Sequence, residues 1–104
     1  MKKKYILRKK SDIEDVFSKG KYISNNLFTI KYFSSTETKF LFTVSSKKYK
    51  KAVDRNLIKR RLKMITSSVK LKKCFNVAII FKNDTISDFE TMKKSLESLF
   101  ILLK

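Results

Sequence analysis

Apolar residues recur at helical spacing in three segments, alternate with polar ones in two, and run unbroken in one. Ile13, Val16 and Phe17 share a helical face behind Ser11 and Glu14, whose spacing is that of a capping box. Gly20 stands where a left-handed C-terminal cap belongs, so a first helix is predicted over 12–19. Residues 27–33 are aromatic and β-branched. As a strand they put Leu27, Thr29, Lys31 and Phe33 on one face and Phe28, Ile30 and Tyr32 on the other. Residues 40–45 read as a second strand and as its hairpin partner across a polar connection. A basic loop over 47–51 leads into a helix over 53–67 with Asp54 in its first turn, where a carboxylate complements the positive helix end. The unbroken run 76–81 predicts a strand buried on both faces. Ser87 and Glu90 form a second capping box before a helix to about residue 103, with Phe89, Met92, Leu96, Leu99, Phe100 and Leu103 at spacings of three and four. The expected order is α-β-β-α-β-α. It describes an α+β fold, a single small sheet with packed helices, in one domain over 1–104 behind a basic tail of about ten residues.

The central helix carries the most distinctive pattern. At 100° per residue, Ile58, Leu62, Ile65 and Val69 cluster in a narrow arc. Arg55, Asn56, Lys59, Arg60 and Lys63 fill a contiguous arc beside and behind it, and Leu57 and Met64 form a lesser apolar edge with Arg61 between edge and core. Like charges at i, i+4 destabilise a helix unless a partner compensates, and no glutamate is interleaved here. Arginine adds a planar donor fork suited to phosphate. A helix anchored on one side and basic on the other fits a polyanion.

Composition widens that local signal to the whole chain. The 104 residues carry a net charge of +17, which repels itself in a compact state and is relieved by polyanion binding. Asp54 is the only acid between Glu37 and Asp84, so the middle of the chain is a concentrated positive source. With 42% apolar residues the chain has the material for a core. Abundant lysine also follows from AT-rich coding, so the arrangement of charge carries more weight than its total. Cys74, the single cysteine, has no histidine or cysteine companion for a metal and reads as a small buried residue. The basic start resembles a signal peptide, but Arg8, Lys9 and Lys10 interrupt it before an apolar core forms, and no apolar run is long enough to span a bilayer. A cytoplasmic protein is expected.

The string Arg55-Asn56-Leu57-Ile58-Lys59-Arg60, continued by Lys63, resembles the R-N-x-x-K-R helix of the bacterial ribonuclease P protein component. Ala52-Val53 just upstream match as well, as do Thr43-Val44-Ser45 followed by Lys47-Lys48 and the helix ending Val16-Phe17-Ser18-Lys19-Gly20. The likeness runs through the late strand and closing helix in one order. The resemblance implies a fold akin to a domain of ribosomal proteins, with a left-handed β-α-β crossover. It implies a ribonucleoprotein in which the RNA subunit performs metal-dependent hydrolysis, with a divalent ion such as magnesium at the holoenzyme level and none held tightly by the protein alone. The enzyme role is that of an accessory subunit, with no catalytic residue on the protein. The partners implied are the catalytic RNA and the 5′ leader of precursor tRNA, with neither DNA nor a membrane.

Carried over by position, Arg55, Asn56, Lys59, Arg60 and Lys63 face the RNA subunit, and Lys47, Lys48, Lys50 and Lys51 extend that surface. Phe17, Phe28, Ile13 and Lys31 fall at leader-cleft positions between the first helix and the sheet, although both phenylalanines also fit an ordinary core. Ile13 and Lys31 stand where aromatics are common, which points to a more electrostatic cleft. Leu57 and Met64 also depart from the family pattern. Asn56, the one uncharged member of the basic surface, is a candidate for a specific hydrogen bond to RNA or to a metal-bound water. The absence of histidine and of clustered acids argues against a protein-only nuclease. Two rivals remain: a structural RNA-binding protein of ribosomal type, and a binder of anionic membranes, which predicts an exposed apolar face beside the lysines.

Overall fold

In the computed structural model, residues 6–69, 71 and 73–103 are described. The basic start at 1–5, and Lys70 and Lys72 of the polar run after the central helix, lie outside them. The elements are α1 (Lys10–Lys19), β1 (Lys21–Ser24), β2 (Phe28–Ser34), β3 (Lys39–Val44), α2 (Ala52–Ser67), β4 (Phe75–Phe81) and α3 (Phe89–Phe100). Among the described residues the fold is α+β, with one four-stranded sheet and three helices. The order is α-β-β-β-α-β-α, one strand more than the periodicity predicts.

The extra strand is β1, four residues pairing antiparallel with β2. The sheet order β1-β2-β4-β3 corrects a second expectation, because β2 and β3 are not hairpin partners. β4 lies between them, antiparallel to β2 and parallel to β3. The unbroken apolar run explains its place: a strand with both faces buried belongs at the centre, and the half-polar strands flank it. β3, α2 and β4 then form a crossover between adjacent parallel strands, as parallel pairing requires.

The register sorts side chains onto two faces. Phe28, Ile30, Phe40, Phe42, Val77, Ile79 and Phe81 line one, against Ile58, Leu62 and Ile65 of α2 and Met92, Leu96, Leu99 and Phe100 of α3. Phe28 and Phe81 lie with ring centroids 5.3 Å apart, and Phe40 meets Phe100 edge-on at 6.3 Å. The other face carries α1 alone, where Val16 and Leu7 close over Ala78, with Ile13, Phe33 and Leu41 at the margin.

Local details differ from the predicted caps for reasons of packing. Leu7 donates its backbone N–H to Phe40 at 2.8 Å, which docks the segment before α1 on the edge of β3. The helix therefore opens at Lys10 after Lys9, whose carbonyl accepts the Ile13 N–H; Ser11 lies inside the helix and no side chain caps it. Gly20 is not left-handed: its φ is −71°. Its need for glycine is steric, since a Cβ there would collide with the carbonyl oxygens of Val16 and Tyr32. α3 is capped by Asp88, which accepts the Thr91 N–H at 2.8 Å, one residue later than the predicted box, and ends at Phe100. Cys74 is exposed rather than buried, because it precedes β4 instead of entering it.

Candidate nucleic-acid interface

α2 presents the surface that the helical wheel predicts. Ile58, Leu62 and Ile65 are fully buried and fix the helix against β3 and α3. Asn56, Arg60 and Lys63 are exposed and Lys59 is half-buried. Among the described residues no ion pair involves Lys59, Arg60 or Lys63. Their mutual repulsion is left for a ligand to relieve.

Arg55 does something else. Its guanidinium donates to the carbonyl oxygens of Tyr49 at 2.7 Å and Lys50 at 3.0 Å, which ties the basic loop to the first turn of α2. Arg61 likewise donates to the Ser87 carbonyl, joining α2 to the segment before α3. Of the motif's basic residues, half-buried Arg55 thus also positions the loop within the fold.

The basic loop is held from its other end too. The Ser45 hydroxyl accepts the backbone N–H groups of Lys47 and Lys48. Lys48 donates to the Lys82 carbonyl at 2.6 Å and pairs with Asp84 at 3.0 Å, so its charge is partly answered inside the protein. Tyr49 is buried against Phe81 and donates its hydroxyl to the Asn83 carbonyl at 2.7 Å. Burial foremost, then the carboxylates of Asp84 and Asp54, pushes its hydroxyl pKa above the ordinary phenol value. Lys47, Lys50 and Lys51 are exposed.

The second surface lies between α1 and the sheet. Phe17 is 40% exposed, and the Lys31 ammonium sits 5.1 Å from its ring centroid, within cation–π range. Ile13 is half-buried and packs with Val16 and Leu7. Phe28, in contrast, is 0% exposed and belongs to the α2–α3 face, so it is not part of this surface, a correction to its leader-cleft assignment. The β period decides this, because Phe28 and Lys31 are three residues apart and must point to opposite faces. Tyr22 was not anticipated. It is 69% exposed and pairs in register with Lys31, on the α1 face. The available signal was a short apolar–polar stretch after the only glycine, too brief to stand out as a strand.

Among the described residues no group of three or more His, Cys, Asp or Glu side chains could hold a metal ion. Asn56 stands as a neutral hydrogen-bonding group on a cationic face. No described helix is long and apolar enough to cross a membrane, and the Ile58, Leu62 and Ile65 seam of α2 is buried, whereas Val53 and Met64 of the same helix are exposed.

A small basic α+β domain, with a charged helix on one side of its sheet and Phe17, Lys31 and Tyr22 on the other, defines the class, and the comparisons with known proteins show the same fold. The RNase P protein of Thermotoga maritima superposes with a TM-score of 0.84 at 24% identity, covering 95% of this chain and 97% of that one. The Staphylococcus aureus RNase P protein gives 0.80 at 20% identity, covering 94% of each. The Ribonuclease P family profile matches residues 1–104, and the chain belongs to that family. It is 34% identical over 99 residues to the ribonuclease P protein component of Streptococcus agalactiae, covering 92% of this chain and 91% of that protein. It is 48% identical over 83 residues to the component of Onion yellows phytoplasma, covering 78% of this chain and 57% of that protein.

Proposed function

We propose that this chain is the protein subunit of a ribonuclease P ribonucleoprotein, assisting removal of the 5′ leader from precursor tRNA while the RNA subunit carries out the hydrolysis. The observation that carries this reading is the set of exposed Asn56, Arg60 and Lys63 and half-buried Lys59, whose charges form no ion pair among the described residues, in a chain matching the family along its whole length. On this reading, α2 and the loop lysines Lys47, Lys50 and Lys51 neutralise phosphates of the catalytic RNA. That contact lowers the magnesium the RNA needs for folding and substrate binding, because protein cations replace condensed counterions. Arg55 keeps loop and helix as one surface. The cleft of Phe17 and Lys31 receives the unpaired leader, where a ring stacks on any base and an ammonium meets any phosphate. Divalent ions sit with RNA and substrate phosphates, and Asn56 hydrogen-bonds to RNA beside them. The site of action is the cytoplasm.

The test is reconstitution. Added to its cognate RNase P RNA at low magnesium, the protein accelerates precursor cleavage, and the gain fades as monovalent salt rises. RNA binding without acceleration would instead identify a structural RNA-binding protein of ribosomal type.

A further inference from the structure

The cleft contains an aromatic that its sequence pattern does not announce. Tyr22 lies on the short edge strand β1, is 69% exposed, and pairs directly with Lys31 of β2. Register partners on one face of an antiparallel pair hold their Cβ atoms about 4.5–5.5 Å apart. The Lys31 ammonium in turn lies 5.1 Å from the centroid of the Phe17 ring on α1. Lys31 therefore stands between two exposed rings, one on the helix and one on the outermost strand. The α1 cluster closes over Ala78, the register partner of Lys31 on its other side. Tyr22 sits outside that cluster, so packing alone does not account for it.

We propose that Tyr22 is a second base-stacking platform, extending the leader-binding cleft outward from Phe17 by one nucleotide. Lys31 meets the phosphate between the two stacked bases. This inference rests on the leader-binding reading above and deepens it. Two rings flanking one ammonium suit an unpaired strand in particular: a duplex hides its base faces, whereas single strands offer a π-face at each step with an anionic linkage between. A chain of net charge +17 draws such a strand in without sequence preference.

The test uses the reconstituted holoenzyme with Tyr22→Ala, Tyr22→Leu, Tyr22→Phe and Phe17→Ala, binding precursor tRNAs with leaders of increasing length and mature tRNA. Because Tyr22 is exposed, its variants are expected to unfold at the wild-type temperature. Tyr22→Ala and Tyr22→Leu weaken precursor binding on the order of ten-fold, leave mature tRNA unchanged, and lose the gain from the outer leader nucleotide; Tyr22→Phe restores it. If Phe17→Ala loses leader affinity while Tyr22→Ala keeps it, Tyr22 is not a platform and the leader reading stands. If the wild type itself binds precursor and mature tRNA alike, the leader reading fails and the platform falls with it. Equal weakening by Tyr22→Phe and Tyr22→Ala overturns stacking in favour of a hydroxyl contact.

Discussion

The face of the sheet under α2 and α3 and the face under α1 are built from the same four strands, yet they end differently. The first is closed: two helices cover it, and its phenylalanines meet one another. The second is half-open: one helix covers Ala78 and Leu41, and beyond it Phe17, Lys31 and Tyr22 remain accessible. Two helices on one side stabilise the domain and hold α2 rigid. One helix on the other leaves aromatic surface that the core does not use. A phenylalanine's role in this molecule therefore depends on its face.

The sharpest way to break that comparison is to truncate one phenylalanine from each side. Phe28→Ala removes a fully buried ring and should destabilise the domain by about 3–5 kcal/mol, read from urea unfolding. Phe17→Ala should change stability by less than about 1 kcal/mol while weakening precursor tRNA, and not mature tRNA, on the order of ten-fold. Comparable losses of stability in both would erase the distinction between the faces.

Gly20→Ala sharpens the account of how α1 is held. The new methyl meets two backbone carbonyls that cannot move aside, so a loss of about 1–3 kcal/mol is expected by chemical denaturation, as for overpacked sites. An unchanged midpoint would mean that α1 does not need its close approach to β2.

The two arginines of α2 differ more subtly. Arg60→Ala should flatten the salt dependence of RNA-subunit binding by about one unit of slope, the loss of about one phosphate contact. Arg55→Ala should leave that slope nearly unchanged and instead speed amide exchange across 45–51 in the free protein, because its guanidinium holds the Tyr49 and Lys50 carbonyls. A smaller effect concerns acid. Hydrogen bonds from Thr91, its side chain first and its backbone N–H second, hold the Asp88 carboxyl below the ordinary carboxylate range. A depressed folded-state pKa gives stability that is present above the unfolded value of about 4 and lost as pH falls through the folded one. Asp88→Ala should therefore lower the unfolding midpoint at pH 7, and the gap should narrow under strong acid.

Legibility followed periodicity. The unbroken run of β4, the seam of α2 and the apolar spacing of α3 are long enough to declare themselves, and each element lies within a residue or so of its expected start. β1 has four residues, too few for alternation to show, and it took Tyr22 with it. Strand pairing was not legible either, because β2 and β3 are neighbours in sequence while the central position goes to the strand with two apolar faces. Gly20 marked the right boundary for the wrong reason, since the constraint is steric, from the carbonyl oxygens of Val16 in α1 and Tyr32 in β2. In the site, exposure along α2 could be read from the wheel, but hydrogen bonds from Arg55 to a folded-back loop could not. Phe28 had two readings, cleft by resemblance and ordinary core by pattern; alternation set it opposite Lys31, and the structure takes the core one.

The central claim is that the two surfaces meet different RNAs, α2 the catalytic RNA and the α1 face the leader. Site-specific photo-cross-linking tests it directly, with the probe at position 63 or 17 of the reconstituted holoenzyme and separately labelled RNA subunit and precursor tRNA. The account predicts that position 63 marks the RNA subunit and position 17 marks the leader. Cross-links from position 17 to the RNA subunit alone, or from position 63 to the leader alone, would contradict it.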